Sequence, residues 1–178
     1  MRARQTLPML WLLSDERNDA ALKQALARLP RGSGFVFRHY HLEGAARRER
    51  FDHLAQLARS LDHKVIVAAG SDDVADWGAD GVYGASSALS DVPQTQLRLA
   101  TAHDAPEITE ASRMGADAVF LSPVFPTRSH PGAIALGADE FHRLAALSEV
   151  PVIALGGMTS ERAAQLGWPR WAAIDALS

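Results

Sequence analysis

Eight short apolar runs recur along this chain with mostly helical stretches between them, and that alternation limits its fold more than any other feature. The runs are Leu10 to Leu13, Phe35 to His39, Lys64 to Ala69, Gly81 to Tyr83, Gln96 to Ala100, Ala116 to Leu121, Val150 to Leu155 and Trp171 to Ile174. Runs of this length suit strands buried on both faces. Helical periodicity covers Asp19 to Leu29, Ala45 to Leu61, Asp104 to Met114, Asp139 to Leu147 and Ser160 to Leu166, with a shorter helix from Ser71 to Trp77. The stretch from Ser86 to Pro93 is weakly patterned. Strand–helix alternation implies parallel strands with right-handed crossovers. Eight units favour a closed (β/α)8 TIM barrel in a single α/β domain over residues 1–178.

Two phrases repeat, Gly78-Ala79-Asp80-Gly81-Val82 and Gly115-Ala116-Asp117-Ala118-Val119. Each suits a helix end turning into a barrel strand. The 178 residues are few for this architecture, where about 250 is typical. The sequence stops at Ser178, directly after the eighth run, so a compact barrel lacking the final helix is expected. The outer faces of Trp171, Ala173 and Leu177 would then seek cover. A homodimer is the expected solution, with the segment Met1 to Leu7 as the alternative cover.

Composition narrows the function. A net charge of −3 gives no reason to expect a nucleic-acid or anionic-membrane partner. The absence of cysteine removes disulfides, thiolate catalysis and zinc–thiolate sites, and fits a reducing cytoplasm. Arg2 and Arg4 before Leu7 to Leu13 imitate a signal peptide, but no small-residue cleavage site follows, and the run reads as the first strand. The histidines lack the helical ligand spacing with a nearby acid that zinc would need, so no metal site is expected.

Chemistry is expected where barrel strands end. Pro151 to Met158 reads as a buried strand closing in Gly156 and Gly157, before a helix that Thr159 or Ser160 can cap. Such a turn leaves backbone N–H groups free to cradle a phosphate. Other strand ends supply Arg38, His39, Thr101, His103 and Ser122. The set suits a small anionic molecule.

Taken together, Ala102-His103-Asp104, Gly115-Ala116-Asp117, Ser122 to Thr127 and Pro151 to Met158 resemble thiamine phosphate synthase and its TenI-type relatives. Arg38 and the Gly78 to Val82 phrase also fit, and the resemblance runs over nearly the whole chain. It implies a β/α barrel. The synthase joins a pyrimidine pyrophosphate to a thiazole phosphate with magnesium; TenI-type members include thiazole tautomerases. It implies a phosphate site from Gly156 and Gly157, with Ala176 and Leu177 adding backbone donors and Arg38 and Thr127 as further ligands. It implies a mobile lid from Pro123 to Gly137, in which His130 stands at the family's lysine.

The departures matter as much. The synthase's two magnesium-binding acids are matched by Ala69 and Ala88, and alanine supplies no oxygen ligand. Asp15, Asp72 and Asp73 are the remaining candidates. The glutamine facing the pyrimidine is matched by Phe37, and the tautomerase's histidine by Ser122. Candidate catalytic positions are therefore His130, Ser122 and His103. The expected function is a cytoplasmic, TenI-like thiamine-pathway protein that binds a thiazole phosphate or thiamine phosphate, with weak or no synthase activity. No cofactor is expected, magnesium belonging only to the synthase alternative. An active synthase and a non-catalytic ligand sensor or partner subunit remain as alternatives.

Overall fold

Leu10 to Leu13 shows how the sheet is built. Trp11 and Leu13 point into one cluster of buried side chains and Leu12 into another. That alternation is the two-residue period of a strand buried on both faces. In this computed structural model, which describes residues 6–178, eight such strands pair in parallel, each with the next and the eighth with the first. They are β1 (Leu10–Leu13), β2 (Gly34–Phe37), β3 (Lys64–Ala68), β4 (Gly81–Gly84), β5 (Leu97–Ala102), β6 (Ala118–Leu121), β7 (Val152–Ala154) and β8 (Trp171–Ala173). The barrel closes where Leu12 pairs with Ala173.

The interior is filled by Trp11, Leu13, Val36, Ile66, Tyr83, Leu99, Phe120 and Ile153. Phe120 meets Trp11 and Tyr83 edge-on, with ring centroids 5.6 and 5.1 Å apart. Gly34 faces Trp11 so closely that a β-carbon there would lie 2.0 Å from the indole. Glycine at the start of β2 is thus the space into which the indole fits.

Five α-helices cover the outside: α1 (Leu22–Arg28), α2 (Gly44–Ser60), α3 (Ala105–Arg113), α4 (Gly137–Ala145) and α5 (Ser160–Leu166). The expected helix from Asp19 is instead a 3-10 helix, Glu16–Ala21, running into α1. Asp15 and Asn18 form a capping box there, which favours a start before Asp19. The expected helix from Ser71 shrinks to one 3-10 turn, Ala75–Trp77, and β4 is followed only by another, Ser86–Leu89. These two thin crossovers explain how so short a chain completes the barrel. β2 ends at Phe37, so His39 lies beyond the strand rather than on it.

The repeated phrase has one physical meaning. Gly78 and Gly115 both take positive φ, 71° and 73°, which ends the preceding turn or helix. Asp80 then accepts a hydrogen bond from the Val65 amide and Asp117 one from the Arg98 amide, at 2.7 and 2.8 Å. Each aspartate thereby ties its own strand's entry to the preceding strand.

After β8 the described chain continues as a 3-10 turn, Asp175–Leu177. The seam between β8 and β1 is not the exposed apolar strip expected. Leu12 is fully buried and Ala173 nearly so, while Trp171 and Leu177 pack against the outer core. The Asn18 amide donates to Leu13 O, Ile174 O and Ser178 Oγ, stitching the first crossover across the seam. Of the proposed N-terminal cover, Met1 to Gln5 lies outside the described residues, and Leu7 packs on the barrel's interior cluster rather than on the seam. No helix among the described residues is long and apolar enough to cross a membrane.

Candidate functional site

A cavity of about 810 Å³ opens at the end of the barrel where the strands finish. Of the residues the sequence singled out, Arg38, Thr127, Gly156, Gly157, Ala176, Ser122, His103 and His130 all line it. Leu177 does not, since it packs sideways onto the outer core. The strand-end residues Tyr40, Tyr83 and Thr101 line it too, and so do Arg128, Met158 and Arg162, to which the sequence assigned no ligand role.

Arg38 follows β2 and is 9% exposed. Its Nε donates to Ser14 O and a terminal nitrogen to Asp15 Oδ2, both at 2.9 Å. Asp15 also pairs with Arg17, which stands 3.7 Å from Asp175. The guanidinium therefore faces the cavity with one carboxylate already beside it. Tyr83 lies next to it, and burial pushes the phenol up to about 12 despite that positive charge. At neutral pH the tyrosine is uncharged.

Behind Arg38 runs a polar chain. His39 has φ of +38°, a rare backbone for a histidine, and is fully buried. Its Nδ1 lies 2.7 Å from Ser14 Oγ and its Nε2 2.6 Å from Asp19 Oδ1. Burial pushes the imidazole below its ordinary value, outweighing the hydrogen bond its Nε2 donates to Asp19, so at neutral pH the ring is uncharged. Ser14 then donates to Nδ1 while accepting from the Arg38 amide at 2.8 Å. A serine, a histidine and an aspartate in series invite comparison with a hydrolytic triad. Ser14 is fully buried and does not line the cavity, so the chain holds the Arg38 turn in place and offers no nucleophile.

Gly156 and Gly157 both take positive φ, 99° and 61°. They are packed tightly as well as turned. A β-carbon on Gly156 would lie 2.6 Å from Pro123 Cα, and one on Gly157 would lie 2.5 Å from Pro126 O. Arg162, in the first turn of α5, donates to Gly157 O and lies over the Phe125 ring. The residues of the turn thus carry a cation that spacing alone did not reveal. The clue was its place three positions into the helix after the glycines, from which side chains lean back toward the N-terminus.

The loop between β6 and α4 is only partly free. Val124 N donates to Leu155 O and Phe125 N to Gly156 O, so its first limb is docked on β7. Leu136 N and Gly137 N return to Pro123 O and Val124 O. What remains is a tip around residues 127–135, where Arg17 donates to Ser129 Oγ at 3.0 Å. His130 and Arg128 on this tip are exposed. His103 is half-exposed at the rim and bonds Glu107, whose carboxylate also accepts from the His103 amide. It belongs to the helix cap of α3 as much as to the cavity.

The candidate magnesium ligands are not brought together. Asp15 is held by Arg38, Asp72 by Arg47 and the Gly44 amide, and Asp73 caps the Ala75 amide. Asp175 is the one carboxylate among the lining residues described. No group of three or more His, Asp or Glu side chains that could share a metal occurs among the described residues. The donor set does not fit a magnesium–pyrophosphate complex.

Fold and site together define a closed β/α barrel whose strand-end cavity carries three arginines and a glycine turn. The family profile described as thiamine monophosphate synthase (TMP-TENI) matches residues 10–175, and the chain belongs to that family. A putative thiamine-phosphate synthase 2 of Aquifex aeolicus is 39% identical over 62 residues, which is 35% of this chain and 33% of that relative. A thiamine-phosphate synthase of Pyrococcus furiosus is 23% identical over 165 residues, covering 88% of this chain and 79% of the relative. The solved structure of a thiamine phosphate pyrophosphorylase from Pyrococcus furiosus superposes with a TM-score of 0.77 at 24% identity, over 94% of this chain and 85% of that one. That likeness supports the barrel fold.

Proposed function

We propose that this protein binds a phosphorylated heterocycle of thiamine synthesis, such as thiazole phosphate or thiamine phosphate, in the TenI-like manner and without appreciable synthase activity. Family membership supports the pathway. The observation that carries the reading is the cavity's charge: Arg38, Arg128 and Arg162 line it against Asp175 alone among carboxylates. A phosphate monoester would sit at the Gly156–Gly157 turn, with Arg162, Arg128 and Thr127 as side-chain partners. Arginine is suited to that task by its planar fork of donors.

Synthase chemistry needs the leaving pyrophosphate's charge neutralised. Ala69, Gly84 and Ala88 offer no oxygen ligand for that. Incubation with the pyrimidine pyrophosphate, thiazole phosphate and magnesium should give no thiamine phosphate, or turnover far below about 1 per second. Robust turnover would establish the synthase reading instead. The non-catalytic sensor gains support from the candidate acid–base groups, because His103 is engaged by Glu107 and His130 sits on an exposed loop tip. Binding of thiazole phosphate without conversion, followed by NMR of the ligand, would separate a sensor from a tautomerase.

A further inference from the structure

The tip of the β6–α4 loop, residues 127–135, is tied to the rest of the molecule at one point. Within it, Ser129 N donates to Thr127 Oγ1 and Ala133 N to His130 O. Among the described residues, its one hydrogen bond to another segment is the one Ser129 Oγ accepts from Arg17 at 3.0 Å. Packing offers no second anchor there, since Ile134, the large apolar side chain of the tip, is 92% exposed. Arg17 lies in the crossover between β1 and β2, 112 positions away from Ser129. Round the closed barrel, β7 and β8 stand between β6 and β1. The tip therefore bridges the mouth past the ends of two strands, with Thr127, Arg128, Ser129 and His130 lining the cavity beneath it. Arg17 is itself fixed from two sides. It pairs with Asp15 Oδ1 at 3.3 Å and, across the seam, with Asp175 Oδ2 at 3.7 Å. Two carboxylates on different segments aim the guanidinium, so bonding Ser129 orders little more of that side chain.

We infer that Arg17 is the latch of this loop: its bond to Ser129 holds the tip across the cavity mouth, and ligand enters and leaves when that bond opens. Arg17 does not line the cavity, so it is a positioning residue that acts through Ser129. A single hydrogen bond at a partly exposed rim is strong enough to bias the loop shut and weak enough to break often. The latch does not depend on which ligand binds; its effect on ligand exchange rests on the phosphate reading above.

The test compares the full-length parent with Arg17→Gln, Ser129→Ala and Ser129→Thr, the last of which keeps the hydroxyl. Tryptic cleavage after Arg128, measured without ligand, reports the open population of the tip. It should be about fivefold faster in Arg17→Gln and Ser129→Ala, the loss of one hydrogen bond of ordinary net strength. Cleavage at other arginines should not change, and Ser129→Thr should return the rate to that of the parent. In a second arm, the dissociation rate of thiazole phosphate is read from NMR line shapes of the ligand. It should rise by a similar factor in Ser129→Ala and be restored in Ser129→Thr. Cleavage at the parent rate in Ser129→Ala, or no restoration by threonine, overturns the latch. Faster cleavage with unchanged dissociation overturns its control of the mouth. If thiazole phosphate does not bind the parent, the phosphate reading fails, and the cleavage arm alone decides the latch.

Discussion

At the scale of single residues, the most consequential side chain outside the cavity is Arg47. It sits on α2 among charged neighbours in the sequence and would pass for a solvated face, yet it is 2% exposed. Its guanidinium donates to Arg38 O and Ala68 O and pairs with Asp72, between the rings of Phe37 and Trp77. It stands where β3 lacks a covering helix and ties the ends of β2 and β3 together. Arg47→Ala would strand two carbonyls and a carboxylate, a loss of about 3 kcal/mol or more. Urea denaturation should show that loss, and a change within 0.5 kcal/mol, an ordinary surface effect, would refute the strut. His39 makes a second residue-level prediction. The unfolded chain takes up a proton near the ordinary histidine pKa of 6.5, while the buried ring resists it. Unfolding therefore binds protons below that pH, and stability falls as pH drops through about 6.5 and is flat above it. The melting temperature should fall from pH 7.5 to 5.5 by more in the parent than in His39→Gln, and equal slopes would show that another group controls the loss.

At the scale of elements, the β6–α4 loop divides into a docked limb and a tip. The limb from Pro123 to Pro126 is hydrogen-bonded along β7 and against the glycine turn, so it cannot swing as the whole segment Pro123 to Gly137 was expected to. Any closure over a ligand is therefore expected of residues 127–135 alone, as a short lid. Limited trypsin digestion should cut after Arg128, and thiazole phosphate should slow that cut. Equal rates with and without saturating ligand would remove the lid. The same packing changes how the glycines are probed. A β-branched residue at Gly157 would press on Pro126 O, so the variant would reshape the loop as well as the cup.

At the scale of the whole molecule, the barrel closes with little outside it. Two crossovers are single 3-10 turns, and the seam is covered by the first crossover through Asn18. The large exposed apolar side chains described are Met9, Tyr40, Ile134 and Leu147, and they belong to four different segments. Scattered apolar residues do not make an interface. Sedimentation at micromolar concentration should therefore show a monomer; a dimer would show that association uses a surface other than an apolar seam.

The sequence by itself determined the eight-stranded parallel barrel, because each strand's burial and each glycine–aspartate entry is a local pattern with a fixed period. It also placed Arg38 and the glycines at the cavity, because strand ends in such a barrel share one face, while Thr127 came only from the family resemblance. Only the tertiary structure decided the rest. Arg162 reaches the glycine turn through the lean of its helix, Leu177 turns away, Asp15 and Asp72 are consumed by arginines, and Asp73 by the Ala75 amide. Arg47 and Asp72 meet across 25 positions of sequence, and Arg38 and Asp15 across 23, only because β1, β2 and β3 are neighbours in space. Charge pairing depends on distance in three dimensions, and no local period encodes it.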